Sequence, residues 1–182
     1  MRRFLIPVVV VAGLMLSACG SSPTTSSPST SSGSPTPSGS PTSPTAAETA
    51  ANPPAVSGAT NLKAEPVIGP GTPPPPTSLE TKELVVGTGA TAVATDTVQV
   101  QYVGADYTNG KDFDSSWSRG QPSTFPLNGV VPGFAQGIVG MKVGGRREIV
   151  IPPALGYGST GQPPAVSPNE TLVFVVDLLA IQ

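Results

Sequence analysis

The sequence predicts an α+β domain, a twisted antiparallel sheet curled over one short helix, preceded by a disordered tether. Three observations carry this. First, 14 of the 23 Pro lie between Pro23 and Pro76, so a Pro-rich first part gives way to a patterned second part. Second, the pattern from about Leu79 onward is mostly that of strands, with every-second-position alternation at Thr97 to Val103. Third, one segment has helix punctuation: Pro132 suits a first helical position, Gly140 suits the residue past the end, and Phe134 and Ile138 share a face.

The elements follow in order. Glu83 to Val86 reads as a short first strand. Thr97 to Val103 alternates, with Val98, Val100 and Tyr102 on one face and Gln99 and Gln101 on the other. Asn109-Gly110 is a turn signal, and Lys111 to Ser115 continues as strand. Gly144-Gly145 marks another tight turn before Arg146 to Ile151. Thr171 to Ile181 is long and apolar with little alternation, so it belongs at the centre of the sheet, buried on both faces. The helix spans about two turns and cannot persist alone, so it must pack on the sheet.

Composition narrows the chemistry. The chain has no His and one Cys, which excludes a Ser-His-Asp triad, a His-bearing zinc site and an internal disulfide. Formal net charge is −2, so there is no basic surplus for nucleic acid. No cofactor and no metal are expected.

The first residues read as an address. Arg2 and Arg3 precede a 12-residue apolar run, Leu5 to Leu16. A membrane-spanning helix needs about 20 residues, so the run suits the core of a signal segment, residues 1–18. Leu16-Ser17-Ala18-Cys19 resembles a bacterial lipobox, in which the Cys thiol takes lipid and becomes the new N-terminus. An extracytoplasmic protein anchored to the cell membrane through Cys19 is expected. Residues 19–78 then read as lipidated Cys and tether. From Gly20 to Ser78 only Glu48, Lys63 and Glu65 are charged and no apolar period appears, a composition that cannot offset its ordering entropy. The tether is expected to be removable without loss of fold, and residues 79–182 to form the domain.

Six blocks in that domain, Val98 to Gly104, Phe113 to Ser116, Val130 to Phe134, Ile151 to Pro153, Tyr157 to Gly161 and Leu172 to Phe174, resemble the FKBP-type peptidyl-prolyl cis-trans isomerases. The resemblance covers about Thr81 to Gln182 and implies a half-barrel wrapped around the helix, with a ligand pocket between the two. It implies that Tyr102, Phe113 and Phe174 are aromatic walls, Phe134 the floor, and Val130 and Val131 the rim. It further implies a Val131 N–H donor, a Tyr157 hydroxyl donor, an Asp114 carboxylate beside the pocket and Val166 on a flap. The implied substrates are Pro-containing exported polypeptides, acted on by a monomer. Two positions depart from the family. Phe134 stands where Trp is usual, and Ser123 replaces a common aromatic, so binding of large macrolides should be weak.

Elementary chemistry agrees with an isomerase. Amide rotation faces a barrier of about 18–20 kcal/mol because twisting loses resonance. Ordinary turnover requires about 10³–10⁵-fold acceleration, about 4–7 kcal/mol. No bond to carbon is made, so no nucleophile is needed. The twisted amide has less charge separation than the planar one, so a dry aromatic pocket favours it. Plainer alternatives stay open. The aromatics could be simple core, and Asp114 could form only a surface bridge to Arg119 rather than the Tyr102–Asp114–Arg119 network that would hold the wall. Trp117 could touch substrate or merely pack its loop. Lys142, Arg146 and Arg147 read as a solvated edge. A non-catalytic module that binds Pro-containing peptides in the same groove is the alternative function.

Overall fold

The computed structural model describes residues 53–182. The signal segment, Cys19 and the first part of the expected tether lie outside the described residues. Six strands form an antiparallel sheet in the order β3 (Glu80–Val85), β7 (Arg146–Ile151), β8 (Leu172–Ile181), β4 (Thr97–Asp106), β5 (Asp112–Ser115). The sixth, β6 (Ser123–Pro126), pairs with the start of β4, beside Thr97 to Val100, while β5 pairs with its later part. The helix α1 (Pro132–Ile138) matches its predicted span, and its Gly133 and Gly137 lie directly on Ile151 and Ile149 of β7. The predicted architecture, an antiparallel sheet with one short helix, is the observed one.

Alternation divides the sheet into two apolar faces. Val98, Val100, Tyr102, Ile149, Ile151, Phe174, Val176 and Leu178 face the helix with Phe134 and Ile138. Val103, Ala105, Val150, Val173 and Val175 face the other way, with Ile68 and Tyr107. As predicted, β8 is central and is buried continuously from Leu172 to Leu178. The first strand begins earlier than expected, at Glu80. The short β6 is an addition to the predicted elements, because its four-residue length and its end at Pro126 hide it.

Residues 53–78 are not the tether the sequence suggested. They form an ordered strap across the outer face of the sheet. Two short strands, β1 (Val56–Ser57) and β2 (Val67–Ile68), pair antiparallel, and Pro54, Pro66 and Ile68 are buried. Gly71 N–H donates to Tyr107 O at 2.7 Å, and the Tyr107 hydroxyl donates to Thr72 O at 2.9 Å. A Cβ on Gly71 would stand 2.3 Å from the Tyr107 ring, so only Gly lets the backbone cross it there. The strap binds largely through its backbone and a few small contacts, which apolar periodicity does not report.

The basic cluster expected at a solvated edge is also divided differently. Arg146 is fully buried. Register places it opposite Asp177, to which its Nε and Nη2 both donate, the latter at 2.6 Å. Its remaining donors reach the strap, at Gly58 O (2.9 Å) and Ala64 O (3.3 Å). Burial raises the Asp177 carboxyl, with Arg146 opposing that shift. Arg147 turns to the helix side, donating to Gly137 O at 2.7 Å and to Glu83 Oε1 at 2.6 Å. Of the three, only Lys142 is exposed.

Glu148 occupies the same outer face, between Arg146 and Val150. It is 1% exposed and neither carboxylate oxygen has a hydrogen-bond partner. Burial pushes it up to about 7, with the Lys82 charge on β3 pulling it back in part. The folded chain therefore holds this proton to a higher pH than the unfolded chain. Stability falls as pH rises from about 4.5 to about 7, by about 3 kcal/mol from this group. Urea unfolding of Glu148→Gln at pH 5 and pH 8 should show that loss removed. A variant with the wild-type pH dependence would contradict it.

Candidate active site

The helix-facing side of the sheet gathers five aromatic rings. Phe134, buried on the first turn of α1, is their centre: its ring centroid lies 5.1 Å from Phe174, 6.1 Å from Tyr102 and 6.1 Å from Phe125, each nearly edge-to-face. Phe113 on β5 meets Phe174 at 5.6 Å and 85°. Tyr102 closes the group against Phe125 at 5.8 Å and Phe174 at 6.2 Å. Such tilted contacts stabilise by about 0.5–1.5 kcal/mol beyond area burial. Gly104 makes room for two of the rings, since a Cβ there would stand 2.7 Å from Phe174 and 2.8 Å from Phe113. Phe113 and Phe125 remain partly exposed, so the cluster opens to solvent at one end.

A polar rim stands beside it. The Tyr102 hydroxyl donates to Asp114 Oδ2 at 2.5 Å. Arg119 Nη1 pairs with Asp114, and its Nη2 donates to the Tyr102 hydroxyl at 2.8 Å and to Ser123 Oγ at 3.2 Å. The guanidinium carbon also lies 5.3 Å from the Tyr102 ring centre. Burial first, then the Asp114 carboxylate, raises the Tyr102 phenol, so it remains a neutral donor. The network expected from the sequence is present, and Ser123 adds an acceptor to it.

The other rim is built from loops. Val131 precedes Pro132, and its carbonyl receives Phe134 N–H (3.0 Å) and Ala135 N–H (3.2 Å). Its own N–H makes no hydrogen bond among the described residues. Tyr157 packs on the cluster, and its phenol is raised by burial and then by the nearby Asp114 charge. The Gln162–Val166 turn closes with N–H···O bonds of 2.8 and 3.0 Å and sets Val166, 2% exposed, into the same cluster as Val130 and Val131.

One residue is an addition to the predicted site, and one takes the plainer of the two roles left open for it. Phe125 is absent from the predicted site, though it is as much part of the wall as Tyr102. Its signal is its place two residues after Ser123, on the same face of a strand. Trp117 packs its loop rather than facing substrate: it lies in the outer apolar layer with Val56 and Leu84, away from the five rings.

Residues 89–179 match the description of the FKBP-type peptidyl-prolyl cis-trans isomerases. The chain belongs to that family. A probable FK506-binding protein of Corynebacterium glutamicum is 50% identical over 107 residues, which are 59% of this chain and 90% of that one. FkpA of Escherichia coli K12, named as an FKBP-type isomerase, is 43% identical over 106 residues, 58% of this chain and 38% of its own length. The fold agrees with the crystal structure of Escherichia coli FkpA at a TM-score of 0.55, covering 58% of this chain and 49% of that one. It agrees with AtFKBP13 at 0.54, 35% identity, covering 59% and 96%. As an FKBP-type isomerase, the chain carries its aromatic cluster where helix and sheet meet, and the strap lies before the matched residues.

Proposed function

We propose that this isomerase accelerates X–Pro bond rotation in exported polypeptides, as a monomer held at the outside of the cell membrane by lipid on Cys19. The observation that carries the reaction is the group of five rings with the Val131 N–H, unpaired among the described residues, and the Tyr157 hydroxyl at its rim. The rings take the Pro ring and keep water from the amide. Val131 N–H and Tyr157 hold the flanking carbonyls and fix the turn, while Asp114 and Arg119 lock Tyr102 in the wall. The twisted amide, less polar than the planar one, gains in that setting.

Phe134 and Ser123 leave a softer floor and a more polar flank than a Trp floor and an aromatic flank would. They favour weak macrolide binding and keep a non-catalytic Pro-peptide module as the second reading. The reaction is tested by Tyr157→Phe, which removes one hydroxyl and keeps the ring. A neutral hydrogen bond contributes about 0.5–1.5 kcal/mol, so kcat/KM on X–Pro peptides should fall about 2–13-fold. No fall would remove Tyr157 from the site.

The address is tested separately. The lipobox and the short apolar run support an anchor at Cys19, and two or three acyl chains hold stably. Cys19→Ala should leave the precursor uncleaved or release the protein from membranes. Full maturation with unchanged membrane retention would contradict it.

A further inference from the structure

The strap lies before residues 89–179, the part shared with the family, yet it reaches the back of the active-site rim. The rim loop runs from Ser115 to Gly120, between β5 and β6, and delivers Arg119 to Tyr102 and Asp114. Ser115 is buried, and its hydroxyl donates to Glu65 of the strap at 2.5 Å. The same serine knots the loop. Its Oγ accepts Ser118 N–H at 3.2 Å, and its carbonyl accepts the Ser118 hydroxyl at 2.9 Å. The next residue ties the loop to β4: Ser116 Oγ accepts Tyr102 N–H at 2.8 Å, and Ser116 N–H donates to Tyr102 O at 3.0 Å. Arg119 N–H then donates to Ser116 O at 3.1 Å. Trp117, at the middle of the loop, is pinned in the outer layer that Val56 and Ile68 of the strap complete.

The loop therefore has two attachments. One is to β4, within the shared domain. The other is to the strap, through Glu65 on Ser115 and through the packing around Trp117. Phe113 and Asp114 immediately precede Ser115, so a shift there moves a wall ring and the carboxylate together. A long guanidinium that must bond Tyr102, Asp114 and Ser123 at once is sensitive to such a shift. Small misplacements of positioning groups cost large factors in rate.

We propose that Glu65 is a positioning residue for the isomerase, acting through Ser115 and the Ser115–Gly120 loop on Arg119, and that the strap is thus a working part of the active site. The proposal rests on the isomerase reading, and the same assay separates the two.

The test compares Glu65→Ala, Glu65→Gln, Ser115→Ala and the Glu65→Ala/Ser115→Ala pair in the 182-residue chain, by X–Pro peptide assay well below each melting temperature. Glu65→Ala should lower kcat/KM about 3–10-fold. Glu65→Gln keeps an acceptor and should stay within about 2-fold. The double variant should lose no more than Ser115→Ala alone, because that variant already breaks the Glu65 contact and in addition removes the acceptor of Ser118 N–H. A purely structural role would lower the melting temperature and leave kcat/KM of the folded protein unchanged; that result overturns the proposal, as do additive losses in the pair. Should Glu65→Ala not fold, Glu65→Asp, which shortens the side chain and keeps the carboxylate, draws the acceptor away from Ser115 Oγ without touching the loop's own Ser118 contact, and an unchanged kcat/KM overturns the proposal. Absence of wild-type acceleration would defeat the isomerase reading instead.

Discussion

A chain that begins at Leu79 is expected to melt about 15 °C or more below the 182-residue protein, if it folds at all. The strap supplies the buried Ile68 and covers Val150, Val173 and Val175 on the outer face. Burial of one large aliphatic side chain contributes about 1.5–3 kcal/mol, and removing the cover re-exposes several. Arg146 loses two of its acceptors, Gly58 O and Ala64 O, while its pairing with Asp177 remains. Together these amount to roughly 4 kcal/mol or more, and each kcal/mol moves the midpoint of a domain this size by about 4 °C. Scanning calorimetry of the two chains checks it. Equal midpoints would show that the strap is dispensable.

Phe174→Ala should cost about 3–5 kcal/mol in stability and most of the activity. Phe174 is 6% exposed and touches Phe113, Phe134 and Tyr102, so its loss leaves three rings facing a void beside the opening. Water entering that void also removes the dry surroundings that favour the twisted amide. Phe174→Leu fills most of the volume without the ring. It should recover more than half of the stability and less of the kcat/KM. Chemical unfolding and peptide kinetics on both variants separate packing from catalysis. Equal recovery of both would mean that the ring acts only as filler.

The site is legible in the sequence where spacing is short and local. Tyr102, Asp114 and Arg119 lie within one hairpin and its following loop, and the helix is marked by Pro132, Gly140 and the Phe134–Ile138 pair. Residues that meet only through sheet register are harder to place. Arg146 and Asp177 are neighbours because β7 and β8 align them, and read alone Arg146 resembles a surface charge. Phe125 escapes a reading by alternation because its strand is four residues long and ends in Pro126. The strap is hidden for another reason. Ser-, Pro- and Gly-rich segments are read as disordered when they lack apolar side chains to bury. This one docks by carbonyls, close Gly71 contact and a few buried residues, none of which leaves a period in the sequence.

The most direct measurement is the rate of X–Pro isomerisation in short peptides, followed by a protease-coupled assay with the folded wild-type chain. Catalysis is expected to be linear in enzyme concentration and well above the spontaneous exchange, which takes tens to hundreds of seconds. A well-folded protein that leaves the spontaneous rate unchanged would contradict it, and the five rings would then be a binding groove for Pro-containing peptides.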